Sequence, residues 1–508
     1  MRAARAEPVV VGLAGLILAA HVAVNLASPY GFHRDEFLYL AMGQHLRVWS
    51  MDFPPLIAML ARGVRAVFGD SLAAVRLVPA LAASALVLMA GMIARELGGG
   101  RAAEGLAALG VVTCPLFLRA GSLFQPVVLD QLTWTVALYA LARLGRARGT
   151  DDELRWWLTL GLAGGVGLLA KFSILFLGAG VLVALVLTPL RSAFRTPKPW
   201  LALAVALIVG APSVVGQMRL GWPVLGQMQD LRTVQLERVT PLDFLAEQLL
   251  WGPVVLLAIG GVIWLLTATA SRPWRAMGWA CIAAFLLLLI LHGKSYYAGP
   301  IYPALIAAGC VALERVGAPA ATPLRVVTAA VLLTAGAVAV PMGFPVLPPP
   351  AMIRYGGALG VTNTTNTGDV LALPQDYADM LGWERLVQAT ADVYRDLPDA
   401  DRTRAVLIGG NYGEAGALDL FGPKLGLPPV VSAAGSYWFF GPGKLPGDVA
   451  IVVGADSTDL APFFGEVHLA RTVSNPLGVP EERLVRIYVC RKPRQTLQQV
   501  WPALAGRN

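Results

Sequence analysis

The stretch Leu158 to Leu190, LTLGLAGGVGLLAKFSILFLGAGVLVALVLTPL, decides the fold. It carries one charged residue, Lys171, near its middle. A bilayer crossing needs about 20 apolar residues, so this run is too long for one helix and suits two that turn at Ala170-Lys171-Phe172. Lys171 then sits at a membrane face. Working outward, similar runs occupy Val9 to Ala27, Ala80 to Ala94, Val127 to Ala142, Leu201 to Gly216, Leu249 to Ala268, Trp279 to Leu291, Ile301 to Leu313 and Val326 to Val340. Flanking small residues extend the shorter ones, and the pattern predicts a mainly α, polytopic membrane protein with about eleven spans.

Composition agrees. Of 508 residues, 56% are hydrophobic and 14% charged, and the mean hydropathy is +0.62, outside the range of a soluble protein. The first run, preceded by Arg2 and Arg5, has the outline of a signal peptide. It lacks a small-x-small cleavage site and more spans follow, so it reads as a retained helix. The net charge of +8 does not indicate a nucleic-acid partner, because the basic residues fall in short connections between apolar runs. The cysteines at 114, 281, 310 and 490 lack metal-ligand spacing and suit buried small hydrophobes.

Those basic connections orient the chain. Arg95 and Arg101; Arg143, Arg146, Arg148 and Arg155; Arg191, Arg195 and Lys198; Arg272 and Arg275; and Arg315 and Arg325 recur at every second loop. The positive-inside rule makes them cytoplasmic together with the N-terminus. Outside then lie loops 29–72, 119–126 and 217–246, the turn at Lys171, the turn His292 to Pro300, and everything after about residue 344. Glu36 to Leu46 and Leu56 to Val67 have helical spacing that suits helices in the membrane interface, and loop 217–246, with Trp222, looks similar. Beyond the proline-rich hinge Pro341 to Pro350 the composition turns polar. Strands at Ala405 to Ile408, Val449 to Val453 and Arg486 to Cys490, with a helix at Gly413 to Phe421, predict a small α/β domain. The expected organisation is a transmembrane domain over 1–343 and an extracytoplasmic α/β domain over 344–508.

The polar residues able to carry chemistry collect on the outer side. His33-Arg34-Asp35-Glu36 follows the first span, and its plain reading is an interfacial turn with a local ion pair. Asp130 begins the fourth span, as a helix-start acid or as a functional intramembrane acid. Asp52 precedes Phe53-Pro54-Pro55, a good helix start as well as a possible ligand. Lys171 either snorkels to the interface or contacts an anion. Lys294 lies in His292-Gly293-Lys294-Ser295-Tyr296-Tyr297, where the tyrosines are an aromatic belt or part of a site. Cations of this kind can hold a phosphate while a carboxylate accepts a proton. A divalent metal stays open as a cofactor, with His33 and His292 as candidate ligands, although lone histidines are more often hydrogen-bonding groups. Gly98-Gly99-Gly100 falls in a cytoplasmic turn, and no P-loop or GxGxxG pattern is present. Asn411-Tyr412-Gly413-Glu414 opens the helix of the α/β domain, as a tight turn or an anion site.

Asp35-Glu36 after the first span, Pro54-Pro55, Asp130, and Lys294-x-Tyr296-Tyr297 leading to Tyr302-Pro303 together resemble family 39 glycosyltransferases. These GT-C membrane enzymes include protein O-mannosyltransferases and lipid A aminoarabinose transferases. The resemblance covers about residues 8 to 340. It implies an inverting glycosyltransferase of the cytoplasmic membrane that moves a sugar from a polyprenyl-phosphate donor to a hydroxyl or phosphate acceptor on a lipid, glycan or protein at the outer face. Asp35 would be the base, with Glu36 beside it and Asp130 as a second acid. Arg34, Asp52, Lys171, Lys294, Tyr296 and Tyr297 would contact substrate. Several relatives carry a basic residue before the proline pair where this chain has Phe53, which moves the phosphate-holding role to Arg34, Lys171 and Lys294. The rival class is a transporter or flippase for a lipid-linked or anionic substrate; repeated halves and midplane polar groups, its usual marks, are not evident in the sequence. A third reading, a membrane scaffold with an external binding module, makes Asp35, Asp130 and Lys294 dispensable.

Overall fold

The computed structural model describes residues 7–316 and 321–505, so Arg2 and Arg5 lie outside the described residues. In chain order the helices are α1 (Pro8–Ala27), α2 (Arg34–Gln44), α3 (Leu56–Phe68), α4 (Leu72–Glu96), α5 (Arg101–Thr113), α6 (Pro115–Ser122), α7 (Pro126–Ala147), α8 (Glu153–Ala170), α9 (Ile174–Leu187) and α10 (Lys198–Arg219). They continue with α11 (Pro223–Val234), α12 (Pro241–Gln248), α13 (Val254–Thr267), α14 (Arg275–Ile290), α15 (Tyr302–Glu314) and α16 (Ala321–Gly343). Two compact units result. One comprises Met1–Ala27, Val48–Ile57 and Ala73–Phe344; the other comprises Ser28–Arg47, Ala58–Leu72 and Pro345–Asn508.

The first is the membrane unit of a multi-pass protein. Among the described residues, seven helices are long and apolar enough to cross a membrane, and the number rises to ten if each of three bent helix pairs is one span. About eleven were expected, and this count rests on length and composition alone. The helix not counted is α8, which starts with Glu153 and Arg155 and packs against α7 and α10. The turn expected at Lys171 is present: α8 ends at Ala170 and α9 begins at Ile174. Close helix approach depends on glycine, since a Cβ at Gly161 would collide with the carbonyl of Ala202, and one at Gly309 with that of Leu257.

The basic connections are neutralised where helix ends meet. Arg95, near the end of α4, donates to both oxygens of Glu104 in the first turn of α5, at 2.9 and 2.7 Å. Arg143, near the end of α7, reaches Glu96 at the end of α4 at 2.9 Å. Lys198, which opens α10, reaches Glu153, which opens α8, at 2.7 Å. The ends of α4 and α7 and the start of α5 thus share one level, as alternating spans require.

The second unit is a mixed sheet with helices. After α17 (Pro349–Ala358) come a small antiparallel pair, β1 (Asn363–Thr364) and β2 (Val370–Leu371), then α18 (Gln375–Ala378), α19 (Trp383–Arg395) and α20 (Asp399–Arg402). Next are β3 (Ala405–Gly409), α21 (Tyr412–Phe421), β4 (Val430–Val431), β5 (Val449–Val453), β6 (Phe464–Ser474) and β7 (Leu484–Pro493). The five-stranded sheet has the order β4-β3-β5-β7-β6. β3 is parallel to β4 and β5, whereas β7 is antiparallel to β5 and β6. Every residue of central β5 is buried, which explains why Val449 to Val453 reads as an unbroken apolar run.

One expectation is overturned here. The helix expected over Glu36 to Leu46 is α2, yet it does not present its apolar face to a membrane interface. Phe37, Leu40 and Ala41 are 1% exposed or less, and α2 packs on α21. Gly416 of α21 admits Phe37, because a Cβ there would overlap it. Phe37 also meets Phe32, Trp383 and Phe421 with ring centroids 5.6, 5.5 and 5.8 Å away. Helical spacing alone does not distinguish a lipid-facing side from a protein-facing one.

Candidate active site

The start of α2 is built by a capping box in which histidine takes the place of serine. The His33 ring accepts the Asp35 amide at Nδ1 (3.1 Å), and Glu36 Oε2 accepts the His33 amide (2.8 Å). Glu36 is fully buried in this role. Its carboxylate caps the start of the helix, directly beside Asp35. Two backbone bonds fix the segment ahead of α2: Gly31 N–H to the Met380 carbonyl (3.3 Å) and Arg34 N–H to the Asp379 carbonyl (3.2 Å).

A layer of ionisable side chains surrounds that helix start. His33 Nε2 lies 3.6 Å from a carboxylate oxygen of both Asp376 and Asp379. Arg34 donates to Glu481 at 2.6 Å, lies 3.7 Å from Asp379 and stacks 4.9 Å above the Tyr412 ring. Its guanidinium is engaged by protein carboxylates. Asp35 belongs to the same layer: His33 Nδ1 lies 3.9 Å from one of its oxygens, its side chain is 30% exposed, and the other oxygen accepts the Tyr412 hydroxyl at 3.0 Å. Burial raises Asp379 to about 6, against the lowering fields of His33 and Arg34. Burial also pushes Glu414 and Glu482 upward; each is further raised by a neighbouring glutamate and lowered by Arg34.

The start of α21 is closed by its own residues. Asn411 Oδ1 accepts the amides of Gly413 (2.8 Å) and Glu414 (2.9 Å), Glu414 accepts the Asn411 amide (3.1 Å), and Asn411 Nδ2 donates to Glu482 (2.8 Å). With those amides occupied and two buried glutamates beside them, this helix end is a cap and not an anion site.

In the membrane unit, Asp130 lies one turn into α7 and is 4% exposed. Its Oδ1 has no hydrogen-bond partner among the described residues. Ser173 and Trp134 approach its carboxyl, and Lys171 acts on it through its positive field. Lys171 occupies the extended break between α8 and α9, with Nζ 4.6 Å from the Tyr297 ring centroid and 5.6 Å from that of Tyr296. The two tyrosines meet edge to face, 4.7 Å apart. They belong to the 3-10 turn Ser295–Ile301, which follows Lys294 and is tied down by Gln248: its Nε2 donates to the Ser295 carbonyl (3.2 Å) and its Oε1 accepts from Tyr302 (2.9 Å). Asp52 is buried, with its carbonyl accepting from Gln217. Asp130, Lys171, Tyr296 and Tyr297 are thus brought together, while Asp52 has a structural contact.

No group of three or more His, Cys, Asp or Glu side chains able to hold a metal ion occurs among the described residues. His33 faces its cap and two aspartates, and His292 Nδ1 is 2.8 Å from the Val239 carbonyl. The residues expected as metal ligands therefore do not fit one. Sequence reasoning missed Asp376, Asp379, Glu482 and the Tyr412 hydroxyl as neighbours of Asp35. The only readable signal was Asn411 with Glu414 three residues on, a capping pair.

Comparison with known proteins bears on the fold. The profile of the family described as dolichyl-phosphate-mannose-protein mannosyltransferase matches residues 52–215. The crystal structure of ArnT from Cupriavidus metallidurans bound to undecaprenyl phosphate is similar with a TM-score of 0.64 and 16% identity, covering 94% of this chain and 98% of that one. Its apo form gives 0.61 and 17%, covering 98% and 99%. Arabinofuranosyltransferase AftD from Mycobacteria gives 0.50 and 16%, over 94% of this chain and 40% of that one. No curated protein matches in sequence. The chain has the fold of the GT-C membrane glycosyltransferases.

Proposed function

We propose, from that fold, that the chain is an inverting glycosyltransferase which takes a sugar from a polyprenyl-phosphate donor. The acceptor is a hydroxyl or phosphate of a lipid, glycan or protein at the outer face of the cytoplasmic membrane. The N-terminus and the paired basic connections face the cytoplasm, and the sheet-bearing unit faces outward. ArnT, the similar structure of matching length, binds undecaprenyl phosphate, which supports a donor of this chemical class here.

The observation that carries the reading is Asp35 itself. Asp35 presents a partly exposed carboxylate from the first turn of a capped helix, with the Tyr412 hydroxyl holding one of its oxygens. In the proposed step Asp35 removes the proton of the acceptor oxygen as that oxygen bonds to the anomeric carbon. The bond from that carbon to the phosphate oxygen breaks on the opposite side, and the electron pair leaves with the polyprenyl phosphate. The leaving group is already good, so neutralising and aligning it is the remaining task. Lys171 and Lys294 are the cations proposed for the lipid phosphate; the Tyr296 and Tyr297 rings flank the Lys171 ammonium, and Asp130 sets the field at Lys171. No step needs a metal.

The test is Asp35→Asn in the intact protein, with folding and membrane insertion verified, assayed with labelled undecaprenyl-phosphate sugars in membranes. A positioned base contributes about 10²- to 10⁴-fold, so transfer should fall by at least about a hundredfold. Undiminished transfer refutes the assignment.

A further inference from the structure

We infer that Tyr412 is a positioning residue for Asp35, so that the sheet-bearing C-terminal segment takes part in aiming the base. This rests on the reading of Asp35 as the proton acceptor. The Tyr412 hydroxyl donates to Asp35 Oδ1 at 3.0 Å across 377 residues of chain. Burial and the adjacent Asp35 charge both push the Tyr412 phenol upward, against Arg34, so it stays protonated and remains a donor. A hydrogen bond from a hydroxyl to a carboxylate is charge-assisted and fixes the direction of the accepting oxygen.

The surroundings hold Tyr412 in that role. It is the first residue of α21, just after the Asn411 cap, so its backbone is fixed on both sides. Gly413 keeps the starts of α2 and α21 close, since a Cβ there would lie 3.2 Å from Arg34 Cβ and 2.9 Å from the Trp383 ring. The Arg34 guanidinium covers the ring at 4.9 Å and leaves the hydroxyl edge directed at Asp35. The ring alone satisfies the packing. Among the described residues the hydroxyl bonds to Asp35 alone, so this contact is separable from the packing by one substitution.

Tyr412→Phe in the full chain is that substitution, because it keeps the ring under Arg34. The first readout is the carboxylate stretching band of Asp35, isolated as the infrared difference between each protein and its Asp35→Asn counterpart. Loss of the hydrogen bond from the Tyr412 hydroxyl should move that band. The second readout is transfer from labelled undecaprenyl-phosphate sugar, in which kcat should fall about tenfold with the donor KM unchanged. An unmoved carboxylate band overturns the inference, and so does a loss of transfer that falls on the donor KM alone. If instead Asp35→Asn transfers normally, the base assignment fails, while the infrared difference still reports on the Tyr412 contact.

Discussion

Removing the Phe37 ring tests the claim that Asp35 is held by a protein core and not by a membrane interface. Phe37 is 1% exposed and sits among Phe32, Trp383 and Phe421, each with a ring centroid within 5.8 Å. Truncating a buried phenylalanine costs about 3 to 5 kcal/mol, part of it from lost edge-to-face contacts worth about 0.5 to 1.5 kcal/mol each. The sheet-bearing unit is of a size at which 1 kcal/mol moves the midpoint by about 2 to 4 °C. Phe37→Ala should therefore lower the thermal midpoint of that unit by roughly 6 to 20 °C. The assay is near-ultraviolet circular dichroism of the solubilised protein, checked by protease protection of the segment around Asp35. Transfer activity should fall as well, since Asp35 lies two positions before Phe37. A midpoint change under about 3 °C refutes the reasoning, because a lipid-facing Phe37 would lose little on truncation.

Burial raises Glu414 and Glu482, each is raised further by a neighbouring glutamate, and Arg34, which opposes this, also serves Asp379 and Glu481. A raised carboxyl contributes stability that is complete below its unfolded value and is lost as pH climbs through its folded value. Glu482→Gln, which can still accept from Asn411, should leave stability at about pH 5 little changed and reduce the loss between there and about pH 9, in thermal melts across that window. Lys171→Gln should raise the donor KM by roughly 10- to 100-fold if Lys171 contacts the phosphate, and Lys171→Arg should recover part of it; unchanged donor KM removes Lys171 from that role. Gly416→Val should force α21 away from Phe37 and lose transfer, with the loss of protection around Asp35 seen by hydrogen exchange.

The membrane part of the fold was legible because apolar run length is a direct physical requirement. The break at Lys171 followed from a run too long for one crossing and was found between Ala170 and Ile174. Strands β3 and β5 were legible as short apolar runs, whereas β6, mostly exposed at the sheet edge, has no such signature. At the candidate site the sequence identified Asp35 by its place after the first span. It could not show that Arg34 and Glu36, its immediate neighbours, are occupied in pairing and capping. The role of Arg34 depends on Asp379, Glu481 and Tyr412, residues hundreds of positions away for which a single sequence carries no register, whereas the Glu36 cap on His33 is local but uses a histidine in place of the usual serine.

The discontinuity of the sheet-bearing unit has a consequence for how the protein is made. Asp35 leaves the ribosome 377 residues before Tyr412, its hydrogen-bond partner. At ordinary synthesis rates this interval is roughly 20 to 75 s. Throughout it, the partner surface of α21 does not yet exist, and the Phe37 side of α2 has nothing native to cover it. The chain must thread most of its membrane spans while this early segment waits, open to chaperones and proteases. A nascent chain arrested before residue 405 should therefore be cleaved readily around Phe37, and one released at full length should not. Assembly of the proposed base is thereby deferred until the spans have been made.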